Sequence, residues 1–539
     1  MSLRRTIAHN TLFNAAGRIW EAVAGIGLTV YTIDRVGLDG FGLWSLVALF
    51  TGYAALFDFG LSSGFSKYVA AYAAKEDRAG VSAVVSTGVY FHVVLGALVV
   101  AIGWPLIDLL LAGTLSLMQL LNPGHAGPVA GDAPWAEARF LLRGALILFV
   151  ATNCLAPFPA LQMGLQRMGV VNALGFAGSL VKVSATVVFL ELGFGVRGLL
   201  YTSAVLLGVM AVANIAVAYR IYPGLRCSPF QMQWGLFTTL FAFGWRSQVA
   251  RLSNLVNFQT DRMIVALAGA GNLDLVGLYR AGEDLAVKMR QGPAMLVSAL
   301  VPAVSDLDAR DDRERLKILY IRSTKYVAAL TVPLTLYFAA AADLLLSIYG
   351  TKSELGAAVW VVRILVLGYA FNVLPGPGVS IALGKGNAGM PMMAGIISMT
   401  ANIALTVALF AAFGFYGIPA ATALALGLST AWFFRAMRSE VAVPPMELMR
   451  ASLGWPTLAA LPGTALCVLA TWAASGYMDR IGNLVLASAC AAAFGILYML
   501  CLRLTPFLDA YDVALLRDTL RADRIPGFRF MTARVRDEE

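Results

Sequence analysis

Long apolar runs alternate with short polar links along the whole chain. Most runs hold about twenty residues, enough for a helix to cross the hydrocarbon core of a bilayer. The ten-residue alternation of an outer-membrane barrel is absent. The pattern predicts helical spans over Thr11–Ile33, Phe41–Leu61, Val81–Leu111, Phe140–Leu161, Val170–Leu190 and Gly198–Tyr219. Spans 7 and 8 lie between Phe237 and Val304, separated by a Gly-rich turn at Leu267–Asn272. Spans 9 to 12 follow over Ile318–Tyr349, Ala357–Leu383, Met390–Phe413 and Tyr416–Met437, and two more over Leu453–Ala474 and Asn483–Leu504. The fold class is thus an all-α polytopic membrane protein of about fourteen spans. Pro157-Phe158-Pro159 and Pro375–Gly378 are expected to break spans 4 and 10. The stretch Ser66–Gly80 reads as a loop, and the tail from Thr505 as basic and mildly amphipathic.

Composition supports this reading. The 539 residues are 59% hydrophobic and 13% charged, about half the charged share of a soluble domain. The net charge of +9 would suggest nucleic acid in a soluble protein. Here it records the links: Lys67, Lys75, Arg78, Arg167, Arg220 and Arg226 all fall on one side of the membrane, and the opposite links hold little beyond Arg35 and Arg197. The positive-inside rule makes the richer side cytoplasmic, with both termini on it. The first run holds Arg18 and Glu21 and lacks a cleavage site, so it is not a signal peptide. Five scattered cysteines and three histidines show neither a disulfide framework nor metal-ligand spacing. GKGNAG at Gly384–Gly389 has the glycine spacing of a dinucleotide loop but joins two membrane helices, without the strand such a loop needs.

The candidate chemistry lies in ionisable residues inside the spans. Such groups cost several kcal/mol in hydrocarbon and mark interior or wet surfaces. The cations are Arg18, Lys182, Arg246, Arg251, Arg280, Lys288, Arg290, Arg322, Lys325 and Arg363; the acids are Glu21, Glu283 and Asp284, with Asp58 near a span end. Arg280, Glu283, Asp284 and Lys288 share one helical face by their spacing, with Arg290 close to the same stripe.

Three motifs recur in order. Thr11-Leu12-Phe13 with Arg18 matches Thr239-Leu240-Phe241 with Arg246. Leu38-Asp39-x-x-Gly42-Leu43-Trp44 matches Leu273-Asp274-x-x-Gly277-Leu278-Tyr279. Phe194-Gly195-x-x-Gly198-Leu199 matches Phe413-Gly414-x-x-Gly417-Ile418. Six spans separate the copies, an even number, so the repeat is parallel. It divides the chain into lobes at 1–225 and 226–440, a helix pair at 441–505 and a tail at 506–539.

With GLDGFGLW at Gly37–Trp44, FDFGLSSGFSKYVA at Phe57–Ala70, TDRMIVALAG, ALGKGNAG and FGFYGIPAATALA, the chain resembles the multidrug/oligosaccharidyl-lipid/polysaccharide exporter superfamily. Within it, the chain looks like the Wzx-type flippases of polysaccharide biosynthesis. The resemblance implies two six-helix lobes around a cavity, working by alternating access. It implies a polyprenyl-pyrophosphate-linked glycan as substrate, moved to the outer leaflet of the bacterial inner membrane. Membrane lipids and a polysaccharide polymerase with its export machinery are the implied partners. No cofactor is implied; coupling to H+, Na+ or the membrane potential is left open. The excess of cations fits an anionic headgroup, because guanidinium donors match phosphate oxygens in pairs. Glu21, Asp58, Glu283 and Asp284 are then candidates for coupling or ion pairing. No span offers an enzyme constellation. The two C-terminal spans beyond twelve keep a lipid II flippase as an alternative, and a cation-coupled antiporter of the same superfamily is another.

Overall fold

The computed structural model describes residues 3–54, 61–121, 132–165, 167–268, 272–298, 312–350, 352–385, 389–474 and 479–509, with positions 300, 304, 387 and 512. The regular structure among them is helical throughout. The helices are α1 Leu3–Ala54, α2 Leu61–Ala74, α3 Arg78–Leu121, α4 Asp132–Leu155, α5 Pro157–Gly164 and α6 Met168–Glu191. Then come α7 Gly195–Ile221, α8 Trp234–Ala268, α9 Leu273–Ser298, α10 Arg313–Ala340, α11 Ala342–Leu346 and α12 Lys352–Val373. The chain continues with α13 Gly376–Gly384, α14 Gly389–Phe413, α15 Gly417–Val441, α16 Pro445–Ala474 and α17 Arg480–Arg503.

Eight stretches of the described residues are long and apolar enough to cross a membrane: 78–113, 136–164, 169–191, 195–221, 355–384, 389–441, 445–473 and 480–503. The helices outside this set include α1, α8, α9 and α10, which carry most of the ionisable residues predicted inside spans. Gly37, between the predicted spans 1 and 2, interrupts α1 with φ 75 and ψ 173, a backbone state that suits only a residue without Cβ. Two predicted spans are broken. Pro157 opens α5 directly after α4, and Pro375 precedes α13 directly after α12. Ser66–Ala74, read from sequence as loop, is helical within α2. That stretch holds no helix breaker before the turn at Lys75, and Phe65 and Val69, four apart, are buried at 1% and 0% exposure.

Packing divides the chain into two compact units, Met1–Arg280 and Ala281–Glu539. In the first, α8 packs on α1, α2 and α3. One core layer joins Phe65, Val69, Val84, Phe158 and Leu161; another joins Val47, Leu141, Val196 and Leu200. The second unit has a core around Tyr320, Phe433, Phe434 and Met437, and another around Cys467, Phe494, Tyr498 and Phe507. Outward faces remain apolar, as Val94, Leu98 and Leu109 on α3 illustrate, which is the surface a lipid-embedded helix presents.

Two of the repeated motifs have matching geometry. Gly195 and Gly414 take φ 55 and 57 at the turns before α7 and α15, the left-handed state in both. Gly42 and Gly277 face each other's motif. A Cβ on Gly42 would lie 2.1 Å from the Leu273 carbonyl oxygen, and one on Gly277 would lie 2.3 Å from that of Leu38. Leu38 and Leu273 are equivalent positions of the repeat, so this crossing is close to two-fold symmetric.

GKGNAG is a helix end held by a carboxylate. Lys385 Nζ lies 2.7 Å from Glu440 of α15, Asn387 Nδ2 donates to the same carboxylate at 3.0 Å, and the Asn387 N–H returns to the Ala382 carbonyl at 2.7 Å. A helix precedes it, where a dinucleotide loop would require a strand.

Candidate functional site

Helix α9 carries the predicted stripe, and its placement is set locally. Asn272 caps it, its side-chain oxygen accepting from the N–H groups of Asp274 and Leu275 at 3.1 and 3.4 Å. In the second unit, a Cβ on Gly282 would meet the Ala358 carbonyl oxygen at 2.9 Å, so glycine lets α9 lie close on α12.

The stripe resolves into distinct environments. Lys288 is ion-paired with Asp284 one turn before it; the two side chains are 13% and 15% exposed. The Tyr349 hydroxyl also donates to Asp284 at 3.3 Å. Glu283 is buried at 3% exposure and acts electrostatically on Arg290. Arg290 donates to Asn372 at 3.3 Å and lies 5.4 Å from the Tyr369 ring centroid. Arg280 is half-buried at the edge of the first unit. A separate buried pair stands nearby in sequence: the Tyr279 hydroxyl donates to Asp261 at 2.5 Å, with Asp261 at 4% exposure.

The other candidates scatter. Arg363 binds Asp343 at 2.6 Å and the Ala339 carbonyl at 3.2 Å, and stacks on Trp360. Arg322 and Lys325 on α10 both reach Asp512, at 2.7 and 2.5 Å, and Arg322 also reaches Asp509 at 2.5 Å. Lys182 is exposed on α6, with no ion pair among the described residues. One turn away, Ser179 accepts from the Trp20 indole at 3.0 Å, joining α1 to α6. Arg18 and Glu21 flank Trp20 on α1, and Arg246 and Arg251 lie on α8; their side chains, and the whole of Asp58, fall outside the described residues.

Sequence reasoning missed the partners. Asp343 lies inside an apolar run, in a different span from Arg363, and Asp509 and Asp512 sit in the tail, so no helical spacing links them to Arg363, Arg322 or Lys325. Burial pushes the Asp509 carboxyl up, but the Asp512 backbone N–H and Arg322 outweigh it and hold it below the usual carboxylate range. This depressed carboxyl stabilises the fold above its unfolded value of about 3.9. The contribution is lost as pH falls through the lower folded value.

The described residues are helical, with candidate membrane spans and with ionisable residues concentrated on the more polar helices. A solved structure titled "Lipid II flippase MurJ, inward closed conformation" shares this fold with a TM-score of 0.64 at 13% identity, covering 91% of this chain and 98% of that one. A second, an inward-facing multidrug resistance MATE family transporter of the MOP superfamily, has a TM-score of 0.56 at 18% identity over 77% of this chain and 94% of its own. The "Putative O-antigen transporter" of Shigella flexneri is 22% identical over 374 residues, 68% of this chain and 82% of that protein. The family described as polysaccharide biosynthesis protein matches residues 7–308, and that described as lipid II flippase MurJ matches 293–489. The chain belongs to the polysaccharide biosynthesis protein family, whose members are membrane transporters and not enzymes.

Proposed function

We propose that this chain is an inner-membrane flippase that carries polyprenyl-pyrophosphate-linked oligosaccharide from the cytoplasmic to the outer leaflet. The observation that carries the proposal is the run of cations on α8 and α9, where Arg246, Arg251, Arg262, Arg280, Lys288 and Arg290 outnumber Asp261, Asp274, Glu283 and Asp284. A pyrophosphate diester is the part of such a substrate that needs guanidinium donors, and the polyprenyl chain stays in lipid. Headgroup capture falls first to Arg246 and Arg280, with Arg18, Lys182, Arg251, Lys288, Arg290, Arg322, Lys325 and Arg363 as further candidate contacts. Glu283 and Asp284 compete for the same cations and are the candidates for coupling to H+ or Na+. With the cytoplasm negative, each negative charge moved outward gains about 2.3 kcal/mol per 100 mV. Lipid II is a second reading, favoured by the MurJ family match over 293–489; it presents the same pyrophosphate chemistry.

In cells whose only flippase is this chain, Arg280→Gln and Arg246→Gln are expected to leave lipid-linked oligosaccharide in the inner leaflet at normal expression. Lysine at 280 should restore export only in part, since the forked geometry is lost. Export at the wild-type rate by both glutamine variants would remove the capture role. The topology has its own check. Reporter fusions at Lys75, Arg313 and Glu539 should read cytoplasmic and those near Asp132 and Lys352 external; an external signal at Glu539 would overturn the fourteen-span arrangement.

A further inference from the structure

We infer that the third and fourth turns of α10 form a phosphate-type anion site whose resting occupant is the chain's own Asp512. Arg322, Lys325 and Tyr326 stand at i, i+3 and i+4, on one face of the helix. All three donate to a single carboxylate: Arg322 Nη1 to Oδ1 at 2.7 Å, Lys325 Nζ to Oδ2 at 2.5 Å and Tyr326 Oη to Oδ1 at 2.5 Å. Asp512 is fully buried, and Arg322 and Lys325 are 23% and 13% exposed.

The acid is delivered by a short tether. Only eight residues separate Asp512 from the end of α17 at Arg503. Phe507 anchors that tether, 3% exposed in the core of α16 and α17 and 4.6 Å beneath the Lys325 ammonium. Asp509 and Asp512 accept each other's backbone N–H, at 2.9 and 3.2 Å, which fixes the carboxylate at the tip.

Stability alone does not account for these charges. Desolvating two cations and a carboxylate offsets most of their attraction, and apolar residues of similar volume commonly hold a contact as well. Phe507 already supplies such a contact. Two cations and a hydroxyl converging on one point are also the donor set of a phosphate, whose oxygens could take the place of the two of Asp512. A phosphate or pyrophosphate group would displace the Asp512 carboxylate from Arg322, Lys325 and Tyr326. Asp512 is then an internal competitor for the anion. The transport role of this competition, though not the site, rests on the flippase reading.

The test is titration of the purified full-length protein with inorganic pyrophosphate, and in parallel with nanodiscs rich in phosphatidylglycerol. A site free one-tenth of the time binds about tenfold more weakly than an emptied one. Asp512→Asn should therefore tighten anion binding by about that factor, and adding Arg322→Gln and Lys325→Gln should abolish the gain. A gain with pyrophosphate identifies a pyrophosphate ligand, and a gain confined to nanodiscs identifies a lipid phosphodiester; both support the site. No gain with either probe, or a gain that survives loss of both cations, overturns it. Should Asp512→Asn fail to accumulate, Asp509→Asn removes a half-exposed partner of Arg322 and must give a smaller gain of the same sign. The export assay on Arg280→Gln is independent of this titration, so wild-type export there would sink the flippase reading and leave the anion site standing.

Discussion

Gly42→Leu and Gly277→Leu are each expected to prevent accumulation of folded protein, and the alanine variants to lower stability by about 1–3 kcal/mol. The obstacle is backbone. At Gly42 a new Cβ meets the Leu273 carbonyl oxygen at 2.1 Å, its carbon at 3.0 Å and the Gly277 nitrogen at 3.1 Å; at Gly277 it meets the Leu38 oxygen at 2.3 Å. A flexible side chain could swing aside, but these atoms move only with their helices. Gly208 on α7 is the control, with nothing within 4 Å of its Cβ position. Gly208→Ala should be neutral or stabilise by up to about 1 kcal/mol, from helix propensity. The measurement is thermal unfolding in detergent beside membrane abundance. Equal tolerance of alanine at 42, 277 and 208 would show that the crossing is not tight.

Lys288→Met is expected to cost about 3 kcal/mol, because it leaves Asp284 charged and largely buried, with Tyr349 as its remaining side-chain partner among the described residues. The double variant Asp284→Asn, Lys288→Met should recover most of that loss, since removing both charges also removes the desolvation they impose. Export then separates structure from function. If the double variant folds and exports normally, the pair is a scaffold for α9. If it folds and exports nothing, the charges act on the substrate or the coupling ion. A single variant as stable as wild type would contradict the burial on which both outcomes depend.

Hydropathy made the helices legible because membrane helices must satisfy their own backbone, and the breaks at Pro157 and Pro375 followed from proline's missing N–H. The helix openings near Gly198 and Gly417 were legible through repetition, whereas the shared positive φ at Gly195 and Gly414 came only with the structure. The helix at Ser66–Ala74 was not legible, because Lys67 and the charges from Lys75 to Arg78 read as a polar link, whereas the alanines between them extend a helix. Individual cations could be found but not their partners. Asp284 lies one turn from Lys288 and was within reach of spacing, whereas Asp512 meets Arg322 across 190 residues and only tertiary structure joins them.

The short turns also bear on how the chain is made. Glu191 and Gly195 bound one turn, Phe413 and Gly417 the other, so α6–α7 and α14–α15 leave the ribosome as joined apolar pairs. Each pair can partition into lipid as a single hairpin, with its backbone satisfied and no long link to translocate. Helices α1, α8, α9 and α10 lack that advantage, since their charges make solitary insertion costly. Biogenesis is therefore expected to be out of sequence order for α1 and α10: each waits at the translocon until the later hairpin of its own unit, α6–α7 or α14–α15, offers a surface to bury its charges.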